Sequence, residues 1–224
     1  MKIGRPPSSK DCIMARLLHV SASPMSSRSF SGRVAAAFVE AWRVAHPGSS
    51  VDELNVWTEP LPAFDAMASS WKVKVTAGQM PTEEEVAAVQ PVIDVCTRFL
   101  EADHYLFSVP MWNFSVPYTL KHYLDVIVQP GITMAFDPRS GFVGLVPPDR
   151  PVQLVLSRGN TAYTPGGMFD GHEFQESYLR AVLGFIGLTD VRSIILECTA
   201  YPTEVREPRL AAAFHEAEAA APTF

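Results

Sequence analysis

Five short runs of strand character recur along this chain, and most are followed by a segment with helical spacing. That alternation limits the fold more than any other feature. The runs lie at 13–20, 51–57, 104–109, 152–156 and 191–196. Most are compact and apolar, the pattern of a buried strand, whereas 51–57 alternates apolar with polar residues, the pattern of a half-buried one. Between them, Val34, Ala35, Phe38, Val39, Trp42, Val44 and Ala45 fall at helical spacing and stop near Pro47-Gly48. Thr82 and Glu85 form a capping box, and Val86, Val89, Ile93, Cys96 and Leu100 mark the apolar face of the helix it opens. Pro91 within that face is expected to kink or interrupt it. Further helices are expected at 118–128, at 173–186 closed by Gly187, and at about 204–218. Strands that alternate with helices need crossover connections, so the expected fold is α/β, a doubly wound five-stranded parallel sheet with helices on both faces.

The remaining stretches are less regular. Residues 1–12 read as a loose polar tail ahead of one domain spanning 13–224. Residues 64–80 fit either a short helix or a lid, and 130–151, rich in Gly and Pro, fit a long excursion such as a hairpin. With 47% apolar and 19% charged residues, the chain can fill a core. Its net charge of −6 argues against a nucleic-acid partner, and no apolar run approaches a membrane span. Cys12, Cys96 and Cys198 are widely spaced without a C-x-x-C pair, which favours a reducing, cytoplasmic setting. The six histidines form no i, i+4 pair, so metal chemistry has no support.

Ligands of open parallel sheets gather beyond the carboxyl ends of the strands, where strand order reverses. Three loops are expected there. Pro110-Met111-Trp112-Asn113-Phe114-Ser115-Val116-Pro117 follows the third strand, rigid at both ends and carrying a thioether, an indole, an amide and a phenyl ring. These groups suit a planar heterocycle, and they equally suit a turn with two aromatics tucked into the core. Ser115 is placed to cap the next helix. The serine-rich stretch 21–31 precedes the first helix, whose free amides could complete a phosphate cradle; Ser29 as a simple helix cap fits as well. Neither G-x-G-x-x-G nor a P-loop occurs there. After the fourth strand, Ser157-Arg158-Gly159-Asn160 fits the polar edge of a flat ring or an ordinary turn. A hydrolase reading has little behind it. Val155 replaces the first glycine of a nucleophile elbow around Ser157, and Asp170 and His215 are weak partners.

Taken together, the three loops resemble the FMN-dependent NADH-azoreductase family, which has the flavodoxin-like fold and overlaps with NAD(P)H-quinone reductases. The match rests on 29–31, 110–117, Leu120-Lys121-His122-Tyr123-Leu124-Asp125, Gly131-Ile132-Thr133, 157–159 and the run 183–191, and covers roughly 14–201. The resemblance implies that Ser23, Ser29, Phe30 and Ser31 hold the FMN phosphate. It implies that Pro110, Met111, Trp112, Asn113 and Phe114 line the flavin ring, with Ser157, Arg158, Gly159 and Asn160 at its other edge. Trp112 stands where the family usually has Tyr, and Asn160 where a second Gly is usual. Pro91, Pro130 and the insertion-like 161–172 depart from the pattern as well.

The activity implied is two-electron transfer in alternating steps. NADH or NADPH reduces the flavin and leaves, and a quinone or azo compound then takes its place. The family pattern also implies a homodimer through helix 118–128. The competing reading is a non-catalytic flavodoxin-like electron carrier or FMN-binding module, which the loops at 64–80 and 130–151 disfavour.

Overall fold

In a computed structural model, which describes residues 14–224, seven strands and six α-helices follow one another. The expected tail and Cys12 lie outside the described residues. Strands β1 (Arg16–Ser21), β2 (Ser50–Asn55), β3 (His104–Pro110), β6 (Val152–Ser157) and β7 (Val191–Leu196) form one sheet in the order β2-β1-β3-β6-β7. Every pairing in it is parallel. The chain leaves β1 for β2 on one side and returns to β3 on the other, so strand order reverses between β1 and β3.

Alternate side chains of each strand enter different layers. On one face, Leu17, Leu106, Val155 and Ile194 pack against α1 (Phe30–Ala45) and α6 (Thr203–Ala220). On the other, Leu18, Val20, Phe107 and Leu154 pack against α3 (Glu83–Leu100), α4 (Tyr118–Ile127) and α5 (Glu176–Phe185). The doubly wound sheet is therefore as expected.

Residues 64–80 form a helix, α2 (Ala66–Thr76), whose first amides are capped by the Asp65 carboxylate. Its Trp71 packs with Val89, Val92, Cys96 and Val126, pinning α2 to α3 and α4. The 130–151 excursion contains an antiparallel hairpin, β4 (Met134–Asp137) and β5 (Gly141–Gly144), with Phe136 opposite Phe142.

Three local expectations need correction. Pro91 does not interrupt α3, because it sits on the solvent side, where water can serve the carbonyl that loses its amide partner. The capping box forms, yet the buried face of α3 is Val89, Val92, Cys96 and Phe99, with Val86 exposed and Leu100 only half-buried. Ser115 does not cap α4. Its hydroxyl donates to the Phe174 carbonyl, and Pro117, which needs no amide partner, precedes the helix. Most apolar residues of α4, Leu120, Tyr123, Leu124, Val126 and Ile127, are buried in the chain's own core. The outward side offers Tyr118, Lys121 and Asp125.

Candidate functional site

The three loops singled out by sequence leave β1, β3 and β6, which are neighbours in the sheet. Backbone bonds stitch them together: Ala22 N–H donates to Ser108 O at 2.9 Å, and Met111 N–H to Ser157 O at 2.7 Å. Pro110 pairs in register with Ser157. All three groups of candidate residues therefore sit at one end of the sheet, at its reversal point.

The first loop makes a compact turn at 26–28 and enters α1. Ser29 caps the helix, accepting from Gly32 N–H at 3.1 Å, and its hydroxyl lies 3.3 Å from that of Ser31. Ser23, Ser29 and Ser31 are all buried. Among the described residues, the amides of Phe30 and Ser31 have no hydrogen-bond partner. Two free amides at a helix start, beside three sheltered hydroxyls, make a donor set for an oxyanion.

The second loop closes more tightly than its composition suggested. Trp112 and Ser115 exchange reciprocal backbone bonds of 2.9 Å, while Asn113 and Phe114 between them take φ of 47° and 71°. Positive φ at both central residues is the mirror-image type I′ turn, costly for a residue other than Gly or Asn. The turn leaves the Asn113 and Phe114 amides without partners among the described residues, and half-exposes the Trp112 and Phe114 rings. Phe114 touches Phe169 and His172, with ring centroids 5.9 and 5.2 Å apart. The 161–172 segment therefore packs against this turn.

The third loop holds a difference from expectation. The Arg158 guanidinium, 5% exposed, is turned into a buried network rather than toward an open edge. It donates to Gln175 Oε1 at 3.1 Å and Glu173 Oε1 at 2.9 Å, lies 3.6 Å from Glu197, and sits over the Tyr163 ring. Gln175 in turn donates to Val109 O at 3.0 Å, tying this network to the end of β3. Glu176 nearby ionises below its ordinary value: burial opposes the charge, and Ser193, Arg180 and Arg158 outweigh it. The amides of Gly159 and Asn160 have no partner among the described residues. Asn160 keeps an ordinary backbone, and the left-handed position falls at Ala162, φ 68°. Ser157 ends a regular strand, and no histidine bonds to it, so the nucleophile elbow does not form.

Sequence reasoning missed Trp57, Glu173 and Gln175. Trp57 donates its indole N–H to Ala22 O at 3.0 Å and contacts Trp112 and Tyr118, walling the site on the β2 side. Glu173 also caps α5 through Gln175 and Glu176 N–H groups. A carboxylate three residues before a helix was the available signal for it.

An open parallel sheet whose order reverses between β1 and β3, with its exposed donors gathered at that reversal, defines a flavodoxin-like α/β protein. A family model described as a flavodoxin-like fold matches residues 15–221. An FMN-dependent NADH:quinone oxidoreductase of Desulfotalea psychrophila is 41% identical over 205 residues, covering 91% of this chain and 95% of that protein. One from Nitratidesulfovibrio vulgaris is 42% identical over 186 residues, covering 83% and 88%. Among solved structures, an azoreductase from Bacillus anthracis superposes with a TM-score of 0.84 at 29% identity, over 94% of this chain and 100% of that one. An FMN-dependent NADH-azoreductase from the same organism, in complex with FMN, gives 0.80 at 26% identity, over 92% and 97%. The chain belongs to the FMN-dependent NADH:quinone oxidoreductase and azoreductase family. No helix among the described residues is long and apolar enough to cross a membrane.

Proposed function

We propose that this chain, an FMN-dependent NAD(P)H oxidoreductase acting on quinone and azo compounds, holds its flavin across the three stitched loops. The observation that carries the reading is the set of unpaired donors. Phe30 and Ser31 amides with the Ser23, Ser29 and Ser31 hydroxyls suit the phosphate. Asn113, Phe114, Gly159 and Asn160 amides, in the loops that follow the neighbouring strands β3 and β6, suit the carbonyl-bearing edge of the ring. The donor chemistry therefore fits FMN. Pro110, Met111, Trp112 and Phe114 would line the ring, and Ser157 and Arg158 carry the third loop.

When bound, FMN supplies the redox chemistry, taking an electron pair from a reduced nicotinamide and passing it to the acceptor. The chain's own task is to orient and to stabilise charge. Fixed backbone amides cost no reorganisation when negative charge develops beside them. Trp57, Trp112 and Tyr118 form an aromatic wall against which a flat donor or acceptor can stack. The strained turn at Asn113-Phe114 is held by the 172–175 segment, since Phe174 N–H donates to Phe114 O at 2.9 Å.

NADH or NADPH is the donor, and a second copy of the chain pairs along the outward side of residues 118–128, where Tyr118 is 68% exposed. Sedimentation of Tyr118→Glu as a monomer, against a dimeric parent, tests the pairing.

The purified protein should show flavin absorption that is released on denaturation, and should oxidise NADH with menadione without a separate reductase. A need for a separate reductase would favour a carrier. A protein that stays colourless with excess FMN, at an unchanged melting temperature, would overturn the reading.

A further inference from the structure

On the β2 side of β1, away from the loops after β3 and β6, lies a cavity of about 500 Å³. One wall is the carboxyl end of β2 and the turn after it, with Glu53, Asn55 and Glu59. The other is the turn before α1 and the outer side of its first coils, with Ser26, Ser27 and Ala36. None of Ser23, Ser29, Ser31 or the ring-edge residues lines it, so it is separate from the proposed flavin contacts.

Its chemistry is lopsided. Glu53 is fixed by a 2.6 Å bond between Oε2 and His19 Nδ1, and His19 is anchored by Ser108 at 2.9 Å, leaving Glu53 Oε1 open. Burial works against the Glu53 charge, yet the His19 bond and the Arg43 charge keep its carboxyl below the ordinary value. It is therefore an acceptor at neutral pH. Asn55 spends its Oδ1 on Trp57 N–H at 3.0 Å, and its amide NH2 has no partner among the described residues. Glu59 is paired to Arg98 at 2.5 Å. The cation on the cavity's rim, Arg33, lies over the Phe30 ring at 5.9 Å and the Phe214 ring of α6 at 5.7 Å, drawn toward α6 rather than β2. What faces the cavity from β2 and the turn after it is thus the open carboxylate of Glu53, the Arg98-paired carboxylate of Glu59 and an amide, beside two serine hydroxyls.

A carboxylate near the end of β2, facing the β1–α1 turn, is how dinucleotide-binding α/β sheets grip the vicinal hydroxyls of a ribose. A phosphate at the same place would meet like charge. The cavity also lies within reach of the flavin site, because β2 and β3 are two strand spacings apart, about 10 Å.

We propose that this cavity receives the adenosine half of the electron-donating dinucleotide, with Glu53 accepting a hydrogen bond from the ribose 2′-hydroxyl. The same open carboxylate then opposes a 2′-phosphate, so the chain selects NADH over NADPH. The inference rests on the oxidoreductase reading above and adds to it a place and a set of residues for the donor.

Calorimetric titration of the flavin-loaded protein with 5′-AMP and with adenosine 2′,5′-bisphosphate tests it directly. AMP should bind and compete with NADH, and the bisphosphate should bind about tenfold more weakly or worse. Glu53→Gln should narrow that gap to about threefold or less. Ala36→Trp fills the cavity from an exposed position. It should raise the ratio of KM for NADH to KM for reduced nicotinamide mononucleotide, which lacks the adenylate half, about tenfold. Absence of AMP binding, equal or tighter binding of the bisphosphate, or an unchanged KM ratio would each overturn the assignment. Failure of the parent reading looks different: the flavin-loaded protein would then oxidise neither donor with menadione.

Discussion

Gly144 and Gly187 meet backbone to backbone: a Cβ on Gly144 would stand 2.2 Å from the Gly187 nitrogen. Gly187 in turn holds φ at +113°, and a Cβ there would fall 2.5 Å from Val146 O. Val146 N–H donates to Ile186 O at 2.9 Å beside them. The β4–β5 hairpin is thus docked onto the end of α5 through two residues without side chains. Gly187→Ala adds a clash with main chain to an unfavourable φ, and should cost about 3 kcal/mol. Urea unfolding measures the loss. Faster proteolysis within 130–151 would show that the hairpin is what comes free.

Ser31 is fully buried at the start of α1, and its hydroxyl reaches only Ser29 at 3.3 Å. A hydroxyl sheltered in this way contributes little to the fold, so Ser31→Ala should leave the melting temperature nearly unchanged. If it donates to a phosphate dianion, its loss should weaken FMN binding by about tenfold to a hundredfold. Riboflavin, which lacks the phosphate, should bind both proteins alike. Quenching of flavin fluorescence reads both affinities.

Much of this architecture is legible in the sequence. The central strands β1, β3 and β6 appear as compact apolar runs because both faces of a parallel sheet are buried there, while the edge strand β2 shows only alternation. The end at which the loops meet followed from topology. Side-chain direction did not. The buried stripe of α3 passes through Val92 and Phe99 instead of Val86 and Leu100, a rotation that an isolated helical repeat cannot reveal. The left-handed pair Asn113-Phe114 lies outside the usual glycine signal, and the surrounding contacts hold it in place. The sequence presents Arg158 as a ligand-edge cation. Its partners Glu173, Gln175 and Glu197 come from later segments, and no local spacing announces such pairing.

That burial of Arg158 has a measurable consequence. Removing one partner of a buried ion pair leaves the other charges uncompensated, here Glu173 and Glu197. Arg158→Met should therefore destabilise the protein by about 3 kcal/mol, and Glu173→Gln by less because Glu173 is partly solvated. A guanidinium acting at an open ligand edge would give the reverse: weaker flavin binding with unchanged stability. Urea midpoints and FMN affinities of the same variant separate the two.

Asp52 gives the clearest pH dependence. Its carboxyl is pushed down from 3.8 to about 2, chiefly by the Arg98 hydrogen bonds, with burial opposing and Arg16 assisting. Arg98 reaches it through Nη2 at 2.7 Å and Nε at 3.0 Å, and Arg16 at 2.7 Å, joining β1, β2 and α3. A carboxyl that ionises more readily when folded stabilises the fold above its unfolded value, and that contribution disappears as pH falls through its folded value. The stability from Asp52 should thus be full above about pH 4 and be lost between pH 4 and pH 2. The loss should amount to about 1–2 kcal/mol, since part of the network is solvent-screened. Asp52→Asn should lower stability at neutral pH and flatten the curve across that interval. An equally steep decline in the variant would place the acid sensitivity elsewhere.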